Sequence, residues 1–148
     1  MRMQIALNVT DLDAAITFYS KLFGADVNKR KPGYANFSIA EPPLKLVLFE
    51  QPDLVNQLNH LGVEVSDDEE IDAAANQMAD AGLAPDREQA EVCCFAKQNK
   101  AVAYDPDGTM WEWYRIIEDS DTFFEEKSDP TSIAAQANPL TSKPECCG

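Results

Sequence analysis

The sequence predicts an α+β fold in which two βαβββ modules pair into one curved mixed sheet, followed by a mobile C-terminal tail. Three observations predict it. A strand, helix and three-strand grammar is written twice, at an offset of 56 residues that lays Gln4 on His60 and Asp11 on Asp67. Apolar residues follow period two in the predicted strands and helical spacing between them. Beyond Ile117 both periodicities give way to a stretch with several Ser, Asp and Pro residues that ends on Cys146 and Cys147. The predicted domain therefore spans 1–117, as modules 1–52 and 57–117 with a linker in "QPDLVNQ" (51–57), and the tail spans 118–148.

Each element has its own reason. In residues 4–9, Ile5, Leu7 and Val9 alternate with Gln4, Ala6 and Asn8, which gives a strand with one greasy and one polar face. Thr10 or Asp11 then caps a helix whose apolar positions Leu12, Ala15, Ile16, Tyr19, Leu22 and Phe23 share one side, and Gly24 stops it. Turn-separated β-like runs follow: "ADVNKR", "YANFSIA" and "LKLVLFE". The second module repeats the order. Leu61, Val63 and Val65 alternate with His60, Gly62 and Glu64, an acidic helix start follows, and Gly82 stops that helix. Its later runs are "PDREQ", "VCCFAK", "AVAYD" and "MWEWYRII", with a strong turn at "DPDG" (105–108). The helices are expected to cover the Ile5 and Leu61 faces, leaving the Gln4 and His60 faces to line a shared concavity.

Composition narrows the function. The 148 residues carry 26 acidic against 12 basic side chains, a net charge of -14 that repels phosphate backbones and anionic membranes alike. Nucleic-acid and membrane partners are thus excluded, and an acidic solvated surface explains the charge. No run approaches the roughly 18 to 20 apolar residues of a membrane span, and acidic residues come too early for a signal peptide. The predicted compartment is the cytoplasm, where thiols stay reduced. Gly-rich phosphate loops, nucleophile elbows and C-x-x-C pairs are absent from the sequence.

The chemistry-bearing residues are few. His60 is the single histidine, on the strand face opposite Leu61. With its counterpart Gln4 and the strand carboxylate Glu112, it forms a nitrogen, carboxylate and amide-oxygen set that suits one side of a divalent metal and leaves the other side open. Glu112 shares its face with Met110 and Tyr114, surroundings read as apolar, where an ionised carboxylate needs a cation or donor. Cys93 and Cys94 are adjacent, too close along the chain for an unstrained disulfide. In a regular strand they point to opposite faces; in a loop or bulge both sulfurs can converge on one soft ion. Cys146 and Cys147 are read as accessory thiols on the tail.

The segments "LDAAITFYSKLFG", "KPGYANFSIAEPPLKLVLFE", "LNHLGVEV", "CCFAKQNK" and "DPDGTMWEWY", with the terminal "CC", resemble the vicinal oxygen chelate superfamily of glyoxalases, bleomycin-resistance proteins and dioxygenases. Within it they are similar to the cadmium-induced and carbon–arsenic lyase branch, over residues 3 to 114. The resemblance implies an Fe(II)- and dioxygen-dependent enzyme that cleaves the carbon–arsenic bond of trivalent organoarsenicals and releases arsenite. It implies Gln4, His60 and Glu112 as metal ligands, and Cys93 and Cys94 as the arsenic-binding thiols. Tyr34 and Phe37 are candidate pocket walls, with plain core packing the alternative, and Lys100 is a candidate for steering oxyanions at the mouth, with an exposed hairpin lysine the alternative. The chain departs from the pattern after the vicinal pair, where Asn99, Ala101 and Val102 replace an aspartate and a tryptophan-containing strand. In the first module the position matching Glu112 falls on a leucine of "LKLVLFE", with Glu50 as a fallback fourth ligand. The alternatives are a non-enzymatic protein that binds trivalent arsenic or cadmium, and a dioxygenase of the superfamily with another substrate. Either a monomer or a homodimer is compatible with two paired modules.

Overall fold

A computed structural model of the chain describes residues 1–53 and 56–124. The first module contains β1 (Arg2–Val9), α1 (Leu12–Phe23), β2 (Lys29–Lys31), β3 (Tyr34–Ile39) and β4 (Leu44–Glu50). The second contains β5 (Leu58–Glu64), α2 (Asp68–Asp80), β6 (Asp86–Cys93), β7 (Ala96–Tyr104) and β8 (Met110–Asp119). The ten elements form one curled, mixed sheet of order β2-β3-β4-β1-β5-β8-β7-β6 with two helices. Exchanging the modules reverses this order onto itself, so the repeat written in the sequence is a two-fold relation in the sheet. Antiparallel pairing of β1 with β5 joins the halves, and the parallel pairs β1–β4 and β5–β8 flank that seam.

Local chemistry fixes the helices. Asp11 sits in extended conformation before α1 and its carboxylate accepts from the Ala14 amide at 2.9 Å, while Gly24 closes the helix at φ 60°. Asp67 caps α2 in the same way through the Glu70 amide at 3.0 Å. Helix α1 lays Leu12, with the half-buried Ile16 and Phe23, on Phe37, Leu46 and Leu48. Helix α2 packs Ile71 and Ala75 on Val63, Val65 and Ala101. The helices thus cover one face of the sheet, and the other face curls around a concavity.

Three expectations change. Of the run "ADVNKR" only Lys29 and Arg30 are in a strand, the three-residue β2. The run "VCCFAK" is two strand ends with a turn between them. β8 continues to Asp119, past Ile117, because its last residues pair with β7 as far as Ala96↔Asp119. Phe123 and Phe124 then dock the following segment: Cys93 and Phe124 form a β-bridge, and the Cys94 amide donates to the Phe123 carbonyl at 2.9 Å. Cys146 and Cys147 lie outside the described residues. Among the described residues, no helix is long and apolar enough to cross a membrane.

Candidate active site

The concavity lies at the seam of the two modules and is lined by residues of both. Gln4 comes from β1, His60 from β5 and Glu112 from β8. Strand register aligns them: Gln4 pairs with Gly62, and Gly62 pairs with Glu112, so the three side chains share the inner face. All three are nearly sealed from solvent, at 3, 3 and 4% exposure. Their polar ends meet, with Gln4 Nε2 at 3.0 Å from His60 Nε2 and 2.9 Å from Glu112 Oε1, and His60 Nε2 at 3.4 Å from Glu112 Oε1.

Neighbouring groups set the state of each donor. His60 Nδ1 donates to Asn59 Oδ1 at 2.7 Å, and Asn59 is held in turn by donating its amide to Asn8 Oδ1 at 2.8 Å. That bond assigns the ring proton to Nδ1 and leaves the Nε2 lone pair facing the other two donors. Burial alone would raise the Glu112 carboxyl, but its contact with His60 and the charge of Lys100 outweigh it and hold it below the ordinary carboxylate range. Lys100 Nζ lies 3.5 Å from Glu112 Oε2 and 3.3 Å from Glu88. A lone-pair nitrogen, an ionised carboxylate and a carboxamide within 3.4 Å of one another form a donor set that fits a divalent first-row cation.

The dithiol lies in the wall of the same cavity. β6 ends at Cys93 and β7 begins at Ala96, which pair, so Cys94 and Phe95 are the two central residues of a tight hairpin. Both adopt positive φ, 57° and 62°, as a turn with two left-handed central residues requires. This conformation breaks the strand alternation that would send the two side chains apart, and it brings the sulfurs to 3.0 Å. Cys93 is buried and Cys94 half-buried. Tyr34, Phe49, Phe95 and Phe123 form a contiguous aromatic group beside Cys94, with ring centroids 5.2 to 6.0 Å apart.

Several expected positions resolve differently. Tyr34 lines the cavity, but Phe37, three residues along the strand, faces the other way and packs under α1. Phe37 is core, by strand parity. Lys100 is 1% exposed and not at the mouth; it is a buried counter-charge to Glu112 and Glu88. The first-module equivalent of Glu112 is Val47 and not a leucine, since Val47 pairs with Ala6 as Glu112 pairs with Gly62. Glu50 is no fourth donor, because its carboxylate accepts from the Leu12 amide at 3.1 Å at the start of α1. Nor are the surroundings of Glu112 apolar. The Tyr114 hydroxyl reaches Gln4 Oε1 at 2.5 Å, Glu64 Oε2 at 3.0 Å and Lys45 Nζ at 3.1 Å. Burial first, with the charges of Glu64 and Glu112, pushes the Tyr114 phenol well above its usual value, so it remains a hydroxyl. Asn59, Lys45 and Glu64 went unnoticed in the sequence, although a lysine inside the apolar run "LKLVLFE" is a signal that a buried partner exists.

Comparison with known proteins follows the same lines. Residues 3–113 match the family described as the Glyoxalase/Bleomycin resistance protein/Dioxygenase superfamily. The chain is 54% identical over 122 residues to the cadmium-induced protein CadI of Mycobacterium bovis, spanning 82% of this chain and 80% of that protein. It is 50% identical over 122 residues to the trivalent organoarsenical cleaving enzyme of Thermomonospora curvata, spanning 82% and 81%. Among solved structures, an extradiol ring-cleaving dioxygenase from B. fuscum superposes with a TM-score of 0.59 at 23% identity, over 81% of this chain and 33% of that one. This last likeness concerns the fold alone.

Proposed function

From the premise that the chain belongs to the glyoxalase/bleomycin resistance protein/dioxygenase superfamily, we propose that it cleaves the carbon–arsenic bond of trivalent organoarsenicals and releases arsenite. In this reading Gln4, His60 and Glu112 hold iron(II), Cys93 and Cys94 hold the arsenic, and dioxygen is the co-substrate. The observation that carries it is the opening of a three-donor cluster and a convergent dithiol into one cavity. The 50% identical relative named for organoarsenical cleavage supports the same choice of substrate.

Iron(II), when bound, supplies the redox chemistry that dioxygen needs and that side chains lack. The chain's own groups do the rest. Cys93 and Cys94 exchange their two S–H protons against the two hydroxyls of an organoarsenous acid, forming two S–As bonds and releasing two waters. Because the sulfurs are already 3.0 Å apart, little conformational freedom is lost on capture. Fixing the arsenic beside the donor cluster makes a bimolecular encounter effectively intramolecular. Tyr34, Val47 and Phe49 give the organic substituent an apolar wall, Asn59 keeps His60 in the right tautomer, and Lys100 keeps Glu112 ionised. A cytoplasmic setting would keep the dithiol reduced.

The test is arsenite release, with oxygen uptake, from a methyl or phenyl trivalent arsenical on admitting air to the iron(II)-loaded protein. His60→Ala is expected to lose turnover and keep stoichiometric arsenical capture, whereas Cys93→Ser loses capture and keeps metal binding. Tight capture with no arsenite from any reduced iron preparation would sink the enzymatic reading. The name of the 54% identical cadmium-induced relative favours a second one, sequestration of soft metals by the dithiol alone. Under that reading Gln4→Ala and Glu112→Ala leave the stoichiometry of bound cadmium or arsenite unchanged.

A further inference from the structure

Gln4 is held at both ends of its amide. One end, Nε2, donates to Glu112 Oε1 at 2.9 Å and faces the His60 Nε2 lone pair at 3.0 Å. The other end, Oε1, accepts from the Tyr114 hydroxyl at 2.5 Å. As a metal ligand Gln4 must use its oxygen, since an amide nitrogen has no free lone pair. The amide must therefore turn over, and its NH2 must then find an acceptor where it now finds a donor.

Tyr114 can provide that acceptor. Its hydroxyl has one proton and lies within hydrogen-bond distance of two acceptors, Gln4 Oε1 at 2.5 Å and Glu64 Oε2 at 3.0 Å, while Lys45 Nζ donates to it at 3.1 Å. If the proton turns to Glu64, the hydroxyl oxygen presents a lone pair to Gln4 and accepts from a reversed Nε2. No hydrogen bond is then lost on that side of Gln4. Glu64 is fixed for the role by Arg2 at 3.0 Å and Lys45 at 3.4 Å. Resting on the reading of Gln4, His60 and Glu112 as a metal site, we propose that Glu64 and Tyr114 form a hydrogen-bond switch. It lets the Gln4 amide reverse, nitrogen inward without metal and oxygen inward with it. Glu64 is thus a positioning residue that never touches the metal.

The switch makes metal affinity depend on Glu64 only while the ligand at position 4 has unlike ends. Glu64→Leu removes the second acceptor, confines the Tyr114 proton to Gln4 Oε1 and favours the nitrogen-inward state. In titrations of the metal-free chain with Co(II), it should weaken binding about tenfold, the scale of one hydrogen bond to a charged group. In a Gln4→Glu background, where both ends are oxygen, the same substitution should change affinity by less than about twofold. Glu64→Gln, which loses the charge but keeps an acceptor oxygen, should stay close to the parent. Equal losses in both backgrounds, or a Glu64→Gln loss as large as that of Glu64→Leu, would assign the effect to charge or packing and overturn the switch. A second measurement needs no variant. With 15N-labelled glutamine, the Gln4 NH2 should show proximity to the His60 ring in metal-free protein and to the Tyr114 ring with Zn(II), and an unchanged pattern overturns the proposal. If instead His60→Ala and Glu112→Gln bind Co(II) as well as the parent, the metal-site reading itself fails.

Discussion

Gly62 shows how a single missing atom can shape the donor cluster. It lies between Gln4 and Glu112 across two strand pairings, and a Cβ built there would stand 3.0 Å from Glu112 Cγ, 3.2 Å from the Glu112 carbonyl oxygen and 3.4 Å from the Tyr114 ring. Both of the first two contacts are tighter than nine in ten real Cβ contacts, and the second is with a backbone atom that cannot swing aside. Gly62→Ala is therefore expected to push Glu112 out of line with His60 and Gln4. The outcome is a protein that keeps its far-ultraviolet circular dichroism and loses Co(II) affinity by about tenfold or more, since sub-ångström misplacement of a buried donor forfeits roughly one good contact. Unchanged affinity would mean that Glu112 does not act from its present position. In the first module, Ala6 takes the place of Gly62 and Val47 that of Glu112. A Cβ is accepted there because no carboxylate has to fit beside it.

At the scale of elements, the hairpin that carries the dithiol combines backbone strain with packing. Phe95 stands at φ 62°, costly for any residue with a Cβ, yet it is 8% exposed and packs against Tyr34 and Phe123. Removing the ring should cost about 3 kcal/mol or more. The order of the two smallest replacements is the sharper test. Gly usually destabilises a position relative to Ala by about 0.5–1 kcal/mol, but here Phe95→Gly should be more stable than Phe95→Ala by about 1 kcal/mol, because only glycine tolerates the left-handed conformation. Urea midpoints of the two variants, at equal m-values, decide it. The same hairpin marks the limit of what the sequence discloses. Period-two alternation was legible in β1 and β5, and the cap of α1 could be narrowed to Thr10 or Asp11. The turn at Cys94 and Phe95 carries none of the glycine or asparagine that usually signals positive φ, so its sequence looks like uninterrupted strand. Lys100 was misplaced, and Phe37 left open between pocket wall and core, for a related reason: a face can be assigned by parity, but which face of a curled sheet is inside, and how deep, depends on strands far away in sequence.

For the molecule as a whole, the two-fold relation brings the donors together at the seam within a single chain, so neither module needs a second copy to complete the cluster. The seam also concentrates charge. In a chain of net charge -14, Glu64 is anchored there by Arg2 and Lys45 near the Tyr114 hydroxyl. Burial works to raise the Glu64 carboxyl, but Lys45 and Arg2 outweigh it and hold it below its ordinary 4.5. A carboxyl depressed in the folded state stabilises the fold at pH values above the unfolded pKa, and that contribution is lost as pH falls through the folded one. The melting temperature of the metal-free protein should accordingly exceed that of Glu64→Gln by a constant margin from neutral pH down to about 4.5, then by a shrinking one below it. Salt distinguishes this from a general effect of net charge. Repulsion among exposed carboxylates is screened over about 10 Å at 0.1 M ionic strength, whereas an ion pair set in the sheet is less so, and the margin should survive that salt. A margin that keeps its full size well below pH 4 would show that Glu64 contributes through shape and hydrogen bonding alone.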